Sequence, residues 1–388
     1  MKADQPISFD FDTPVNRRGT ASLKWDKYQD RDVIPLWVAD MDFHSPPAVI
    51  EALKTRADHG VFGYSIPPSG LVDTIINMLM QKYGWSVEPK WIVWLPGLVT
   101  GLNVMCRLGG CDGDEVITST PIYPPFLSAP VLSHKNLIRT PLVENDGRYV
   151  FDFEHVEACI GPRTRIFLLC NPHNPTGRVF NREELERLAR ICEKNDLILC
   201  SDEIHCDLVL DTDKKHIPVA ALSKDIAART VTLMAPSKTF NIPGLGCSFA
   251  VIPDRGLRKA FLKVMEGIVP HVNVFGYTAA LVAYRDSKDW HRDLLDYLRE
   301  NREIVSRRVQ SMNHLSMNHV EATYLAWIKV DQAGPGDPVC FFEDAGVGLS
   351  DGAYFESPGF VRLNFGCQRS LLNQALNRME EALQSSIP

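Results

Sequence analysis

The stretch 164–203 narrows the possible folds more than any other part of the chain. "TRIFLLC" (164–170) and "DLILCSDE" (196–203) are near-continuous apolar runs, as expected for strands buried on both faces. "NREELERLARICEKN" (181–195) lies between them with a helical pattern. Asn181 can cap this helix, and Glu184 completes a capping box. Leu185, Leu188, Ala189 and Cys192 then share one face. Strand, helix and strand at this spacing form a βαβ unit, which implies a parallel sheet with helices on its faces.

"EVITSTP" (115–121) and "TVTLMAP" (230–236) read as further strands of that sheet. Beyond about residue 285 the pattern changes. "WHRDLLDYLRENREIVSRRVQSM" (290–312) is a long amphipathic helix. "ATYLAWIKV" (322–330) and "GFVRLNFG" (359–366) alternate as half-exposed strands would. "DQAGPGDP" (331–338) is a turn cluster. The expected fold class is α/β. A large domain over 46–285 has a mostly parallel sheet flanked by helices, and a smaller α+β domain combines 1–45 with 286–388.

Composition excludes some functions. The 388 residues carry a net charge of −7, which disfavours nucleic acid or an anionic membrane as the main partner. No apolar run reaches the roughly twenty residues of a membrane span. "MKADQPISFDFDTPVNRRG" lacks the apolar core of a signal peptide. Ten cysteines without such a signal read as reduced thiols of a cytoplasmic protein. None forms Cys-x-x-Cys; Cys106/Cys111 and Cys200/Cys206 are the nearest pairs. His44, His173, His205 and His216 show no metal-ligand spacing, so no metal site is expected.

Each expected core strand ends in a polar cluster: "TPIYPPF", "NPHNPTG", "SDEIH" and "APSKTFN". In parallel α/β sheets, ligands bind beyond the carboxyl ends of the strands. The four clusters should therefore bring together Tyr123, Asn174, Asp202 with His205, and Lys238. Each has an ordinary reading by itself. Lys238, for instance, can be a solvated lysine in a strand-to-loop turn rather than an amine whose charge is pushed down for chemistry. Four clusters at equivalent ends favour a site. Gly97 of "LPGLVTGLNVMCRL" (95–108) opens a helix whose free amides and dipole suit a phosphate. A phosphate cradle, a lysine and a facing acid suggest pyridoxal 5′-phosphate (PLP), with the lysine on its aldehyde and the acid on its ring nitrogen.

"NPHNPTG", "SDEIH", "SKTFN" and "FVRLNFG", in this order, resemble the fold-type I PLP-dependent enzymes of the class I/II aminotransferase superfamily. The resemblance runs from about residue 30 to the C-terminus. It implies that Lys238 is the Schiff-base lysine and that Asp202 pairs with the pyridine nitrogen. It places Asn174 on the ring's 3-oxygen and the substrate carboxylate, Tyr123 against the ring, and His205 beside it. The backbone amides of Gly97, Leu98 and Val99, with Ser237, would hold the phosphate. Arg362, with Ala39 nearby, would take the amino acid's α-carboxylate, a task suited to a planar bidentate fork. Tyr64 of "GVFGYS" would reach the phosphate of the neighbouring subunit, implying a homodimer with shared active sites. Lys238, Tyr123 and Asp202 are the expected catalytic residues.

Three departures sharpen the resemblance. His205 stands where general aminotransferases of this fold carry tyrosine, Gly246 where they carry a phosphate-binding arginine, and Ala235 where serine is frequent. "PLWVADMDF", "HGVFGYS", "SDEIH" and "SKTFNIPGL" instead resemble the MalY/PatB-type C–S lyases, which include cystathionine β-lyases. The expected activity is therefore β-elimination from cystathionine or a cysteine S-conjugate, giving a thiol, pyruvate and ammonia. An aminotransferase is the runner-up. A regulatory or binding protein of the same fold is a third reading, disfavoured by the intact Lys238, Asp202, Asn174 and Arg362. Asp40 and Asp42 are expected in a connecting loop near the substrate rather than as general acids. Cys206 is expected to pack.

Overall fold

The 164–203 unit folds as its pattern predicts in the computed structural model, which describes residues 9–331 and 336–385. Strands Thr164–Cys170 and Ile198–Asp202 pair in parallel, and helix Arg182–Lys194 crosses between them. The capping box forms as expected. Asn181 accepts from the Glu184 amide, and the Glu184 carboxylate accepts from the Asn181 amide. Leu185, Leu188, Ala189 and Cys192 are all buried.

Eight strands form the main sheet, in the order Ile92–Leu95, Ser248–Val251, Thr230–Met234, Ile198–Asp202, Thr164–Cys170, Glu115–Thr120, Asn136–Asn145, Arg148–Phe151. The five strands from Thr230–Met234 to Asn136–Asn145 run parallel. The flanking pairings are antiparallel. Period-two alternation explains why these runs are apolar throughout. Ile166, Leu168 and Cys170 enter a core with Leu102, Met105 and Phe261, whereas Phe167 and Leu169 enter the opposite core with Leu185 and Leu188. The neighbours of Glu115–Thr120 lie on opposite sides in chain order, so a topological switch point falls between it and Thr164–Cys170. Ligand crevices form there.

A second, four-stranded antiparallel sheet carries Leu315–Met317, Leu325–Val330, Phe360–Asn364 and Ser350–Asp351. Helix Lys288–Ser311 packs on it, and helix Arg369–Ser385 packs on that helix. The expected half-exposure of its two longest strands is corrected by the structure. Both are buried almost throughout, with Lys329 the exposed exception. Their second face docks on the main sheet's core instead of water: Trp327, stacked on Phe360 at 5.0 Å, joins the cluster of Phe151, Phe167 and Leu199. The expected turn at 331–338 lies partly outside the described residues.

A buried ion network locks the two sheets together. Arg178 is 1 % exposed and forks onto both Glu321 and Glu184. Ala322 N donates to Gly177 O at 2.9 Å. The "NPHNPTG" loop is thereby fixed to the segment that leads into the second sheet.

Candidate active site

The four strand-end clusters line one cavity of about 180 Å³. Tyr123 enters as the residue that starts helix Pro124–Leu132, after strand Glu115–Thr120. Asn174 enters from the loop after Cys170. The His173 Nε2 lies 2.7 Å from Pro121 O and ties that loop to the Tyr123 loop. Asp202 is the last residue of its strand, and His205 follows in the turn. Ala235, Ser237 and Lys238 follow Met234. Gly97, Leu98 and Val99 face the same space from the start of helix Leu98–Leu108, which has no side-chain cap. The first amides of a helix have no intrahelical partner, so this end is a ready cradle for an anion.

A segment of the N-terminal region, residues 36–42, roofs the cavity. Lys238 Nζ donates to Ala39 O at 2.6 Å. Arg362, from the second sheet, donates through Nη1 to Asn174 Oδ1 at 2.9 Å and through Nη2 to Trp37 O at 3.0 Å. Asp40 and Asp42 are held by Arg17, and Asp42 also by Lys24 and Trp25. Both therefore sit in the connecting segment with their carboxylates already engaged in ion pairs. Cys206 is buried against the helical core, as expected.

Burial dominates the electrostatics. It pushes the Lys238 amine down to about 8, while Asp40 pulls the other way. It pushes the Asp202 carboxyl up to about 7, partly offset by the Ile204 amide that donates to Oδ1 at 3.1 Å. It pushes His205 down to about 3, with Lys238 and Arg362 adding to the shift, so this imidazole is neutral. The Arg362 guanidinium is 5 % exposed and pairs with no carboxylate among the described residues. Burial lowers it to about 10, and its Nε has no hydrogen-bond partner. A buried cation without an acid is costly unless an anion arrives from outside.

These residues fit PLP by their chemistry. The free amides at Leu98 and Val99 suit a phosphate. The raised Asp202 carboxyl suits a protonated ring nitrogen. The Lys238 amine, partly neutral near pH 8, suits an aldehyde, and the Arg362 fork suits a substrate carboxylate. Gly246 has φ +58, and an added Cβ would meet Pro96 O at 3.2 Å. A side chain there is strained, and with glycine in this position no side chain extends from it toward the phosphate cradle.

The structure brings together every expected site residue except Tyr64. That side chain is fully exposed and lies outside the cavity. Cys170 and Cys247 also line the cavity, and Tyr324 touches Ala39; the sequence alone singles out none of the three. Only Tyr324 carries a sequence signal, a polar-tipped aromatic at the start of an apolar strand, and that signal is common in cores.

Residues 31–379 match the family described as aminotransferase class I and II. Cystathionine β-lyase PatB of Bacillus subtilis is 38% identical over 96% of this chain and 99% of its own. The crystal structure of OvoB superposes with a TM-score of 0.95 at 46% identity, over 97% of this chain and 100% of that one. Cystalysin from Treponema denticola, solved with a pyridoxal 5′-phosphate cofactor, superposes with a TM-score of 0.94 at 31% identity, over 98% of this chain and 100% of that one.

Proposed function

The chain belongs to the class I and II aminotransferases, and on that premise we propose that it is a PLP-dependent carbon–sulfur β-lyase of the fold-type I architecture. The substrate is an amino acid bearing sulfur on Cβ, such as cystathionine or another cysteine S-conjugate. The Cβ–S bond breaks to release a thiol, and hydrolysis of the remaining enamine by one water gives pyruvate and ammonia. PLP, when bound, supplies the aldehyde that captures the amine and the ring that accepts electrons from Cα.

The observation that carries this reading is a set of three ionisable groups that meet at one cavity, Asp202 and Arg362 buried and Lys238 half-buried. They are a lysine shifted down, an aspartate shifted up and an arginine with no acid. Lys238 would hold PLP through its aldehyde, and its Nζ, once freed, would take the Cα proton as general base. Asp202 would hold the proton on the ring nitrogen, Tyr123 would pack against the ring and Asn174 would reach its 3-oxygen, while the Leu98 and Val99 amides, with Ser237, would hold the phosphate. Arg362 and the Ala39 region orient the substrate carboxylate. His205, neutral and with its Nδ1 unpartnered, lines the same cavity and would lie beside the ring. Gly246 and Ala235, together with the relatives' names, favour elimination over amino-group transfer.

A homodimer completes the site. The loop bearing Tyr64 exposes Val61, Phe62 and Ile66 as well, an apolar surface that suits a second copy, with Tyr64 reaching the other subunit's phosphate. Sedimentation checks the dimer; a monomeric holoenzyme would refute it. All ten cysteines are free thiols, which suits a reducing, cytoplasmic setting. No helix of the described residues is long and apolar enough to cross a membrane.

The decisive assay incubates the PLP-loaded enzyme with cystathionine and with S-alkyl cysteines, without any 2-oxo acid. Stoichiometric thiol and pyruvate support the lyase. Turnover that appears only with a 2-oxo acid acceptor would replace it with the aminotransferase.

A further inference from the structure

The backbone of residues 37–41 is a row of carbonyls, each met by a side-chain donor. Trp37 O accepts from Arg362 and Ser350. Val38 O and Asp40 O accept from Asn364. Met41 O accepts from Asn241. Ala39 O differs, because one of its two donors is the reactive amine. Lys238 Nζ lies at 2.6 Å and the Tyr324 hydroxyl at 3.0 Å.

A carbonyl has two lone pairs, so both donors can be accommodated at once. Lys238 must abandon this acceptor whenever its amine is used elsewhere. A buried carbonyl stripped of its donor bears the full cost of desolvation. Tyr324 is placed to prevent that. It is 0 % exposed, and burial keeps its hydroxyl protonated far above the ordinary tyrosine range. Its ring meets the His205 ring edge-on at 6.3 Å. Its own carbonyl accepts from Phe365 N at 2.9 Å, which pins it beside the strand that carries Arg362. The hydroxyl therefore stays in place whether or not the lysine does.

We propose that Ala39 O is the docking point of the Lys238 amine when that amine is not engaged, and that Tyr324 is a positioning residue that keeps this carbonyl paired when the amine leaves. The role of the released amine rests on the function proposed above; the shared acceptor does not. Tyr324 touches no reacting atom. It acts by lowering the cost of departure from Ala39 and by keeping the acceptor in place for return.

The test uses the full-length protein freed of PLP. Urea unfolding midpoints are measured at pH 7 for the wild type, Lys238→Met, Tyr324→Phe and the double variant. Tyr324→Phe keeps the ring against His205, so folding is retained. A shared acceptor predicts that Tyr324→Phe lowers the midpoint more in the Lys238→Met background than in the wild type, because only there is Ala39 O left without a donor. The second readout is PLP affinity by absorbance titration. Loss of the hydroxyl should weaken it by about tenfold, since engaging the amine then orphans the carbonyl. Additive midpoints, or a PLP affinity unchanged in Tyr324→Phe, would overturn the proposal. Neither measurement uses an amino-acid substrate, so failure of the lyase assay would sink the proposed function without touching this result.

Discussion

Arg362 and Asn174, 188 positions apart, meet through a 2.9 Å bond from Nη1 to Oδ1. It joins the second sheet to a strand-end loop of the first across the cavity. The guanidinium lies 4.7 Å over the Phe355 ring and has no carboxylate partner among the described residues. It is thus oriented before any substrate arrives.

Arg362→Lys keeps a positive charge but loses the planar fork and the bond to Asn174. Catalytic efficiency should fall about 100-fold, mostly through KM, because a buried charge-assisted pair is worth about 2–4 kcal/mol. Steady-state kinetics with cystathionine check this. A lysine variant within about threefold of wild type would remove Arg362 from carboxylate recognition.

Asp202→Asn should separate stability from function. The folded carboxyl is raised to about 7 from 3.8, so the folded state holds the proton more tightly than the unfolded chain between those values. Stability of the PLP-free protein therefore falls as pH rises through that window. The asparagine variant escapes this loss. It should be more stable than wild type at about pH 8, by up to about 4 kcal/mol, and should lose the advantage near pH 4. Its lyase turnover should drop at least about 100-fold, since nothing anionic then faces the ring nitrogen. Chemical unfolding at both pH values, beside activity, measures the two effects.

Lys238 in the PLP-free protein should react with an amine-selective reagent with a midpoint near pH 8 rather than 10.5. Burial disfavours the ammonium, so the neutral, reactive amine is present from lower pH. Competitive labelling read by mass spectrometry gives the midpoint. Lys238→Ala should replace the absorbance band of lysine-linked PLP with that of the free aldehyde and lower turnover by about 1,000-fold or more. Retained steady-state turnover would dismiss Lys238 as base.

Asn241, three residues past Lys238, clamps the cavity roof. Its amide donates to Met41 O and Phe43 O, and its oxygen accepts from Met41 N. Its φ is +54, a conformation asparagine tolerates better than alanine does. Asn241→Ala should cost about 2–4 kcal/mol. Asn241→Gly should recover about 1 kcal/mol of that by relieving the backbone alone. Equal losses in the two variants, by chemical unfolding, would show that the hydrogen bonds, not the backbone, carry the whole effect.

Much of the site was legible because strand ends leave local marks. Asp202 and Lys238 follow apolar runs directly, and both are costly to bury, so their presence there signals use. Arg362 was legible only by resemblance. In isolation it reads as a strand-edge arginine, because its partners, Asn174 and Trp37, lie far off in the chain. Tyr324 left only a faint mark in the sequence, a polar-tipped aromatic before an apolar strand. Its significance is a shared acceptor, Ala39 O, and backbone carbonyls are invisible in a list of side chains. The half-exposure expected for 322–330 and 359–366 failed for a related reason. Alternation shows that a strand has two unlike faces, but not that the second face rests on the other sheet's core.

The sequence by itself determined the periodic features: a parallel sheet from buried runs, a capped helix between Thr164–Cys170 and Ile198–Asp202, and polar clusters at equivalent strand ends. These depend on neighbours within a few residues, where propensity and spacing act. The tertiary structure alone decided which atoms meet across long separations. It placed Lys238 and Tyr324 on one carbonyl, left Arg362 without an acid among the described residues, and held Gly246 in a conformation hostile to a side chain. Such relations arise from packing two sheets and a connecting segment around one cavity, and their energies come from burial that no single stretch of chain can produce.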